Sequence, residues 1–107
     1  MGVTRFEAYL VNPDPTIGSE VRKTRPCLVI SPDELNRTLR TVIVAPMTTR
    51  VRSYLSRVPC RFRGTNGQVM LDQIRSVDRL RLITKLGRLD RLSASAVLSV
   101  LREMFEP

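Results

Sequence analysis

Short apolar runs recur along the chain, separated by proline, glycine or polar residues. Their length and their content of β-branched residues are typical of strands rather than of helices. The pattern predicts strands at 6–11, 27–30, 41–45, 58–62, 68–71 and 74–77, and a further strand at 82–89 that closes the sheet. We expect the third strand to stop before Pro46, because proline has no N–H to donate to a ladder.

Two helices are predicted from their start signals. Ser31, Pro32 and Glu34 supply an N-cap, a proline at the first helical position and an acid at the third, which together open a short helix. Ser93 is expected to cap a terminal helix with an amphipathic stripe that packs on the core. The stripe consists of Val97, Leu98, Leu101, Met104 and Phe105.

Several short strands at close spacing with one packed helix indicate a small, strongly bent barrel. The Asn-Gly pair predicts a hairpin turn over residues 64–67. The polar, arginine-bearing residues 48–56 have no period and are predicted to be a mobile loop. We therefore expect a mainly β fold with helices (α+β), an SH3-like or OB-like barrel with a C-terminal helix, in a single domain over residues 1–107.

The charge of the chain is strongly positive and unevenly spread. Eighteen Lys and Arg residues stand against ten Asp and Glu residues, which gives a net charge of +8. No acid lies between Glu34 and Asp72, whereas that stretch carries Arg37, Arg40, Arg50, Arg52, Arg57, Arg61 and Arg63. Any one of these is most simply a solvated surface arginine, but seven without a countercharge indicate a polyanionic partner.

Composition excludes or disfavours several kinds of chemistry. The chain has no histidine, so no imidazole can serve as acid, base or metal ligand. The acids are scattered, and we expect no obligatory metal or other cofactor. Cys27 and Cys60 lack the spacing of a disulfide scaffold or zinc site and are expected to be buried thiols in a reducing cytoplasm. No apolar stretch approaches the about 18 residues of a membrane span, so we expect a soluble protein with no membrane partner.

Four polar segments beside the predicted strands form a pattern of their own: residues 14–20 (DPTIGSE), 23–26 (KTRP), 45–49 (APMTT) and 71–76 (LDQIRS). In this order and at this spacing they resemble the MazF/PemK family of toxin endoribonucleases, from Phe6 to the terminal helix. The resemblance implies an SH3-like barrel with a C-terminal helix, working as a homodimer. It also implies neutralisation by a cognate antitoxin protein, through which alone DNA would be contacted.

Two features separate this chain from parts of that family. Ser19 and Met70 stand where the PemK-like branch has His and Arg, so the MazF-like branch fits better. Phe6 stands where the family usually has Gly at the start of the first strand. We expect this second difference to change packing and to leave the chemistry alone.

The resemblance also implies a role for individual residues. Arg25 and Thr48 would form the catalytic pair, and Glu20 and Asp72 would be acids that line the same site. Residues that contact RNA or lie beside the site residues are Ser19, Thr49, Gln73 and Arg75, to which the arginine-rich loop adds Arg50, Arg52 and Tyr54. The function implied is metal-independent, sequence-selective cleavage of single-stranded RNA.

Such residues suit attack of the RNA 2′-hydroxyl on the adjacent phosphate, for which DNA has no equivalent group. The proton acceptor stays open: Glu20 or Asp72 is the better candidate, because the high pKa of arginine makes it a poor base unless that pKa is strongly perturbed. Other roles are also open: Arg25 as an ion-pair partner of Glu20, Asp72 as a turn cap, Tyr54 as a plain surface residue. Two other functions compete: an RNA-binding module that does not cut, and a gyrase-poisoning toxin of similar fold.

Overall fold

The computed structural model describes residues 2–12 and 24–107, and over these residues the chain folds into a curled antiparallel sheet with two α-helices. The elements in chain order are β1 Glu7–Val11, β2 Arg25–Val29, α1 Asp33–Thr38, β3 Thr41–Thr48, β4 Arg57–Phe62, β5 Thr65–Met70, β6 Arg75–Asp78, β7 Leu82–Arg88 and α2 Arg91–Phe105. Single-turn 3₁₀ helices at Leu71–Gln73 and Arg79–Arg81 flank β6. The predicted fold class, mainly β with a C-terminal helix, is confirmed.

Strand β3 organises the sheet because it pairs along both of its edges. On one edge, β2 pairs from Val29 opposite Val44 to Cys27 opposite Pro46. On the other edge, β6 pairs with residues 41–44 and β5 with Met47 and Thr48. The 3₁₀ turn Leu71–Gln73 interrupts this second edge, so that the four residues 71–74 lie between β5 and β6 without a partner in β3.

The strands bury apolar side chains on both faces of the sheet. One cluster contains Ala8, Leu28, Ala45, Met47, Val69 and Leu71, together with Ala94 and Val97 of α2. The other contains Tyr9, Val11, Cys27, Val29, Val42, Val44 and Val77. The strand predicted at 27–30 is present in β2, which ends at Val29, and its alternate side chains enter different clusters, as in a strand buried on both faces.

The prediction that Pro46 ends the third strand is wrong, because β3 continues to Thr48. The missing N–H costs little at this position, since Pro46 lies in the last pair with β2 and the next residue already pairs with β5. Pro26 likewise lies inside β2, opposite Leu10, where the sequence predicted a strand that begins only after it.

The predicted hairpin turn is displaced along the chain. Phe62 pairs with Thr65, so the turn consists of Arg63 and Gly64, with φ of 52° and 80°. Two consecutive positive φ values give the mirror-image turn that matches the twist of a hairpin. Asn66-Gly67 lies within β5 instead, where a Cβ on Gly67 would clash with the carbonyl of Thr48. The glycine allows close approach of two backbones.

Both predicted helix caps are wrong in detail. The side chain of Asp90 accepts from the N–H of Ser93, so Asp90 is the N-cap of α2. Ser31 is buried, donates to the Asn36 side chain and accepts from the N–H of Ile43, which leaves Pro32 at the N-cap of α1. The predicted stripe of α2 is only partly core, because the Phe105 side chain at its end is 69% exposed.

Phe6 has a positive φ of 72°, a conformation that is costly for a residue with a side chain. Its N–H donates to Val29 and its carbonyl accepts from Leu89, so the backbone is fixed from both sides. The ring packs against the first apolar cluster, under the Arg5 guanidinium. This residue therefore combines local backbone strain with useful packing.

We expect Phe6→Gly to be more stable than Phe6→Ala by about 1 kcal/mol, because both variants lose the ring but only glycine relieves the strain. Urea denaturation of the two variants measures the difference. Ala96→Gly, at an exposed position inside α2, is the control and should instead destabilise by about 1 kcal/mol. Equal stability of the two Phe6 variants would contradict a strained backbone at this residue.

Candidate active site

Arg25 and Thr48 lie at corresponding ends of two paired strands. Cys27 is opposite Pro46, so two residues further along each strand bring Arg25 and Thr48 to the same level of the sheet. Both line a concavity of about 430 Å³, together with Thr49, Phe62, Arg63 and Gln68. We call this concavity the Thr48 pocket. The structure thus brings together the two residues that the sequence predicted to act as a pair.

The hydroxyl of Thr48 has a defined hydrogen-bond partner on the protein. Its Oγ1 accepts from the N–H of Arg50 at 3.0 Å, a local bond typical of a threonine at the start of a turn. Because a hydroxyl has one proton and two lone pairs, this bond leaves the proton available for a second partner. Thr48 can therefore donate to an anionic oxygen in the pocket.

Arg25 presents an exposed guanidinium at the rim of the Thr48 pocket. Over residues 2–12 and 24–107, no carboxylate forms an ion pair with it. Within that part of the chain its charge is therefore available to a ligand. The predictions for Ser19 and Glu20, including an ion pair between Glu20 and Arg25, fall outside the described residues.

A second concavity, of about 350 Å³, lies on the other side of Arg25. Gln73 and Arg75 line it, together with Arg25, Pro46 and Val77. We call it the Arg75 pocket. Since Arg25 belongs to both pockets, a linear anion that crosses Arg25 could occupy the two in succession. The structure thus places Thr49, Gln73 and Arg75 around Arg25, as predicted from sequence.

Asp72, predicted to line the site, is bonded to Arg57 and Ser56. Its carboxylate accepts from Nε and Nη2 of Arg57, at 2.8 and 3.2 Å, and from the hydroxyl of Ser56 at 2.9 Å. These hydrogen bonds lower the pKa of Asp72, which makes it a weaker base. Neither the Thr48 pocket nor the Arg75 pocket includes Asp72. The physical reason is the inserted 3₁₀ turn, which directs this side chain toward β4.

The predicted RNA-contacting residues of the loop lie outside both pockets. Arg50 and Arg52 are exposed, and Tyr54 is 55% exposed with the Arg57 guanidinium 4.9 Å from its ring centroid. One face of the Tyr54 ring is therefore already covered by a cation, a common arrangement at protein surfaces. If Tyr54 contacts RNA, a base can stack only on the other face of its ring.

The loop at 49–56 is irregular, as predicted, but side chains tie it at both ends. Gln68 bonds to the main chain of Arg52, and Asp72 bonds to Ser56 at the other end. Sequence reasoning missed Gln68, Phe62 and Arg63 as neighbours of Thr48. The alternation along β4 and β5 could have suggested a shared face, but the pairing of β5 with β3 is long-range and has no local signal.

Neither cysteine is disulfide-bonded, and burial raises the pKa of the Cys27 thiol to about 11. The prediction of a buried thiol is confirmed for Cys27, whereas Cys60 is half-buried. In the part of the chain that the structure describes, no three Cys, Asp or Glu residues cluster in a way that would hold a metal ion. Neither described helix has the length and apolarity to cross a bilayer.

Comparison with known proteins agrees with this geometry. Residues 4–105 match the family described as PemK-like, MazF-like toxin of type II toxin–antitoxin systems. Endoribonuclease EndoA of Bacillus subtilis is 33% identical over 98 residues, which cover 84% of this chain and 83% of that protein. The matched residues 4–105 include all of the helices and strands described above.

Solved structures show the same fold. An endoribonuclease from a mycobacterial species, in complex with its cognate antitoxin, superposes with a TM-score of 0.80 at 21% identity, covering 95% of this chain and 93% of that one. MazF from Deinococcus radiodurans superposes with a TM-score of 0.78 at 26% identity, covering 97% and 96%. The chain belongs to the PemK-like, MazF-like toxin family of type II toxin–antitoxin systems.

Proposed function

We propose that this protein is a sequence-selective endoribonuclease that cleaves single-stranded RNA without a metal ion, as the toxin of a toxin–antitoxin pair. The observation that carries the proposal is the meeting of Arg25 and Thr48 in one open pocket, with no acid among the described residues paired to Arg25. The similar protein EndoA is named an endoribonuclease. RNA is also the polyanion that a net charge of +8 favours.

The reaction needs no nucleophile from the protein. The RNA 2′-oxygen forms a bond to the adjacent phosphorus, and the bond from phosphorus to the 5′-oxygen of the next nucleotide breaks. The 2′-hydroxyl proton passes to a base, and the departing 5′-oxygen takes up a proton. The products are a 2′,3′-cyclic phosphate and a 5′-hydroxyl. DNA is spared because it lacks the attacking group.

Arg25 and Thr48 are proposed to stabilise the transition state. Negative charge grows on the non-bridging phosphoryl oxygens during attack, and a permanently charged guanidinium binds such oxygens more tightly as that charge increases. Thr48 donates its hydroxyl proton to the same phosphate, since its lone pair is held by the N–H of Arg50. Both groups thus favour the transition state over the ground state.

Glu20 is the stronger candidate for the base that accepts the 2′ proton. Asp72 is occupied by Arg57 and Ser56, and its pKa is lowered by those bonds. Using it would require the ion pair to break before each turnover. We therefore assign Asp72 to the positioning of the Arg57 segment and leave the proton transfer to Glu20.

The partners proposed are a second copy of the chain and a cognate antitoxin, in the cytoplasm, where RNA is available. A similar mycobacterial endoribonuclease was solved with its cognate antitoxin. Exposed apolar side chains on α2, Leu92 at 82% and Phe105 at 69%, are consistent with a protein partner. The alternatives, a non-cutting RNA-binding module and a gyrase poison, require neither Arg25 nor Thr48.

We expect the purified protein to cut a long messenger RNA into discrete fragments in EDTA. Arg25→Ala should slow the single-turnover rate by about 10²-fold or more, the cost of losing one transition-state donor. Thr48→Val, which keeps the shape and removes the hydroxyl, should also slow it, whereas Thr48→Ser should retain most of the rate. The measurement is gel analysis of fragments, with chemical identification of their ends.

Two controls make this experiment decisive. An RNA carrying 2′-deoxy residues at the mapped cut sites should resist cleavage, since the attacking hydroxyl is gone. Asp72→Asn should keep most of the activity at pH 7, because Asp72 is outside both pockets. An intact but shifted RNA band with the wild-type protein would instead favour a binding module, and wild-type rates for Arg25→Ala would remove Arg25 from the mechanism.

Binding of an uncleavable 2′-deoxy-substituted oligonucleotide should weaken as salt rises. If Arg25, Arg63 and Arg75 each meet one phosphate, log K should fall against log salt with a slope of about −2, at about 0.7 per contact. Arg25→Ala should reduce the slope by about 0.7. Fluorescence anisotropy over a salt series measures both values, and a flat response would rule out a phosphate-binding groove.

A further inference from the structure

Gln68 is a buried polar residue whose side chain makes, with the main chain of Arg52, the two hydrogen bonds that a neighbouring strand would otherwise make. The N–H of Arg52 donates to its Oε1 at 3.1 Å, and its Nε2 donates to the carbonyl of Arg52 at 3.0 Å. The residue is only 6% exposed. A primary amide is the neutral side chain that can satisfy the donor and the acceptor of a peptide backbone at once. The two bonds fix the chain at Arg52.

Gln68 makes these bonds next to Thr48. The two residues are paired across β5 and β3, and both line the Thr48 pocket. Gly67, the neighbour of Gln68, brings the backbones so close that a Cβ would clash with the Thr48 carbonyl. The first residues of the loop are therefore held at two points, by Thr48 at Arg50 and by Gln68 at Arg52.

We propose that Gln68 is a positioning residue for RNA selectivity: its amide sets the path of loop 49–56 beside the Thr48 pocket and so determines which bases are accepted next to the scissile phosphate. The inference rests on the proposed nuclease function. Residues 49–55 are exposed, and the first of them, Thr49, lines the Thr48 pocket, so the loop starts where a base next to the scissile phosphate would lie. Arg25 is held by β2 and is independent of this bond.

Loss of the Gln68 amide should change the choice of cut site more than the rate of the chemical step. Loss of the amide bonds releases the loop, while the strands that carry Arg25 and Thr48 keep their pairing with β1 and β5. We expect the ratio of cleavage at the strongest sites to cleavage at weaker sites to fall about tenfold, the factor that corresponds to one lost hydrogen bond. The rate at the weaker sites should fall less than the rate at the strongest sites, because the strand pairing that carries Arg25 and Thr48 is retained.

The test uses Gln68→Glu and Gln68→Met, with cut sites mapped by sequencing the ends from a randomised RNA pool. Ionised glutamate accepts only and cannot donate to the Arg52 carbonyl, whereas protonated glutamic acid donates and accepts as glutamine does. Burial raises the pKa of a carboxyl at such a site, whereas the neighbouring arginines lower it. Gln68→Glu should therefore show low selectivity at pH 8 and regain it only to the extent that its carboxyl is protonated as the pH is lowered toward 5, while Gln68→Met stays unselective throughout.

The introduced carboxyl is the group whose protonation the change of pH is meant to probe. The charged or titratable groups described around position 68 are Arg25, Arg50, Arg52, Arg63 and Cys60. Arginine stays charged throughout, and burial raises the pKa of the Cys60 thiol. The wild-type cut-site ratio measured at both pH values controls for any effect of pH on the RNA.

Each outcome bears on one proposal. If Gln68→Met keeps the wild-type cut-site ratio, or if low pH restores only the melting temperature of Gln68→Glu, the amide has a structural role and the inference is overturned. Return of selectivity in Gln68→Glu alone supports it. If the wild-type protein leaves RNA intact, the nuclease function fails first. Because Gln68→Glu is compared with itself at two pH values, a folded sample at pH 5 suffices for the comparison.

Discussion

The site depends on one constraint: strand β3 has to form backbone pairs with other strands along both of its edges. At Pro46 it has just completed its pairs with β2, and from Met47 it pairs with β5. The end of the strand is therefore enclosed between two neighbours that come from distant parts of the chain. Arg25 arrives from one side and Gln68 from the other, so the position of Thr48 between them is fixed by backbone pairing and not by contacts between the site residues themselves.

The charges of the molecule divide between those that hold the fold and those left for a ligand. Asp72 with Arg57 and Glu7 with Lys85 are paired on the protein, and the first of these pairs orients the segment that leads into β4. Arg25 has no such partner among residues 2–12 and 24–107. A guanidinium paired to a carboxylate would have to give up that bond to bind phosphate, so the absence of a described acid beside Arg25 lowers the cost of accepting RNA.

The sequence predicted the strands and both helices because hydrophobic pattern and turn residues act locally. Segments that resemble a known family also predicted Arg25 and Thr48 as a pair, and the structure places both in the Thr48 pocket. The errors have a common cause in long-range structure. Pro46 is tolerated because of a change of partner, the Asp72 carboxylate is bound by Arg57 outside both pockets because of an inserted 3₁₀ turn, and Gln68 lies beside Thr48 because β5 pairs with β3. None of these follows from neighbouring residues in the chain.

Thr48 shows why a threonine fits this position. Its branched Cβ restricts χ1, so the hydroxyl is oriented before any ligand arrives. The bond from the N–H of Arg50 uses a lone pair and leaves the proton to donate. The same bond begins the loop whose next fixed point is Arg52, held by Gln68. The group proposed to polarise the phosphate and the group that starts the loop proposed to contact bases are thus one side chain. In this proposal Thr48 serves both catalysis and the position of the loop as far as Arg50, and Gln68 positions the loop beyond it, at Arg52.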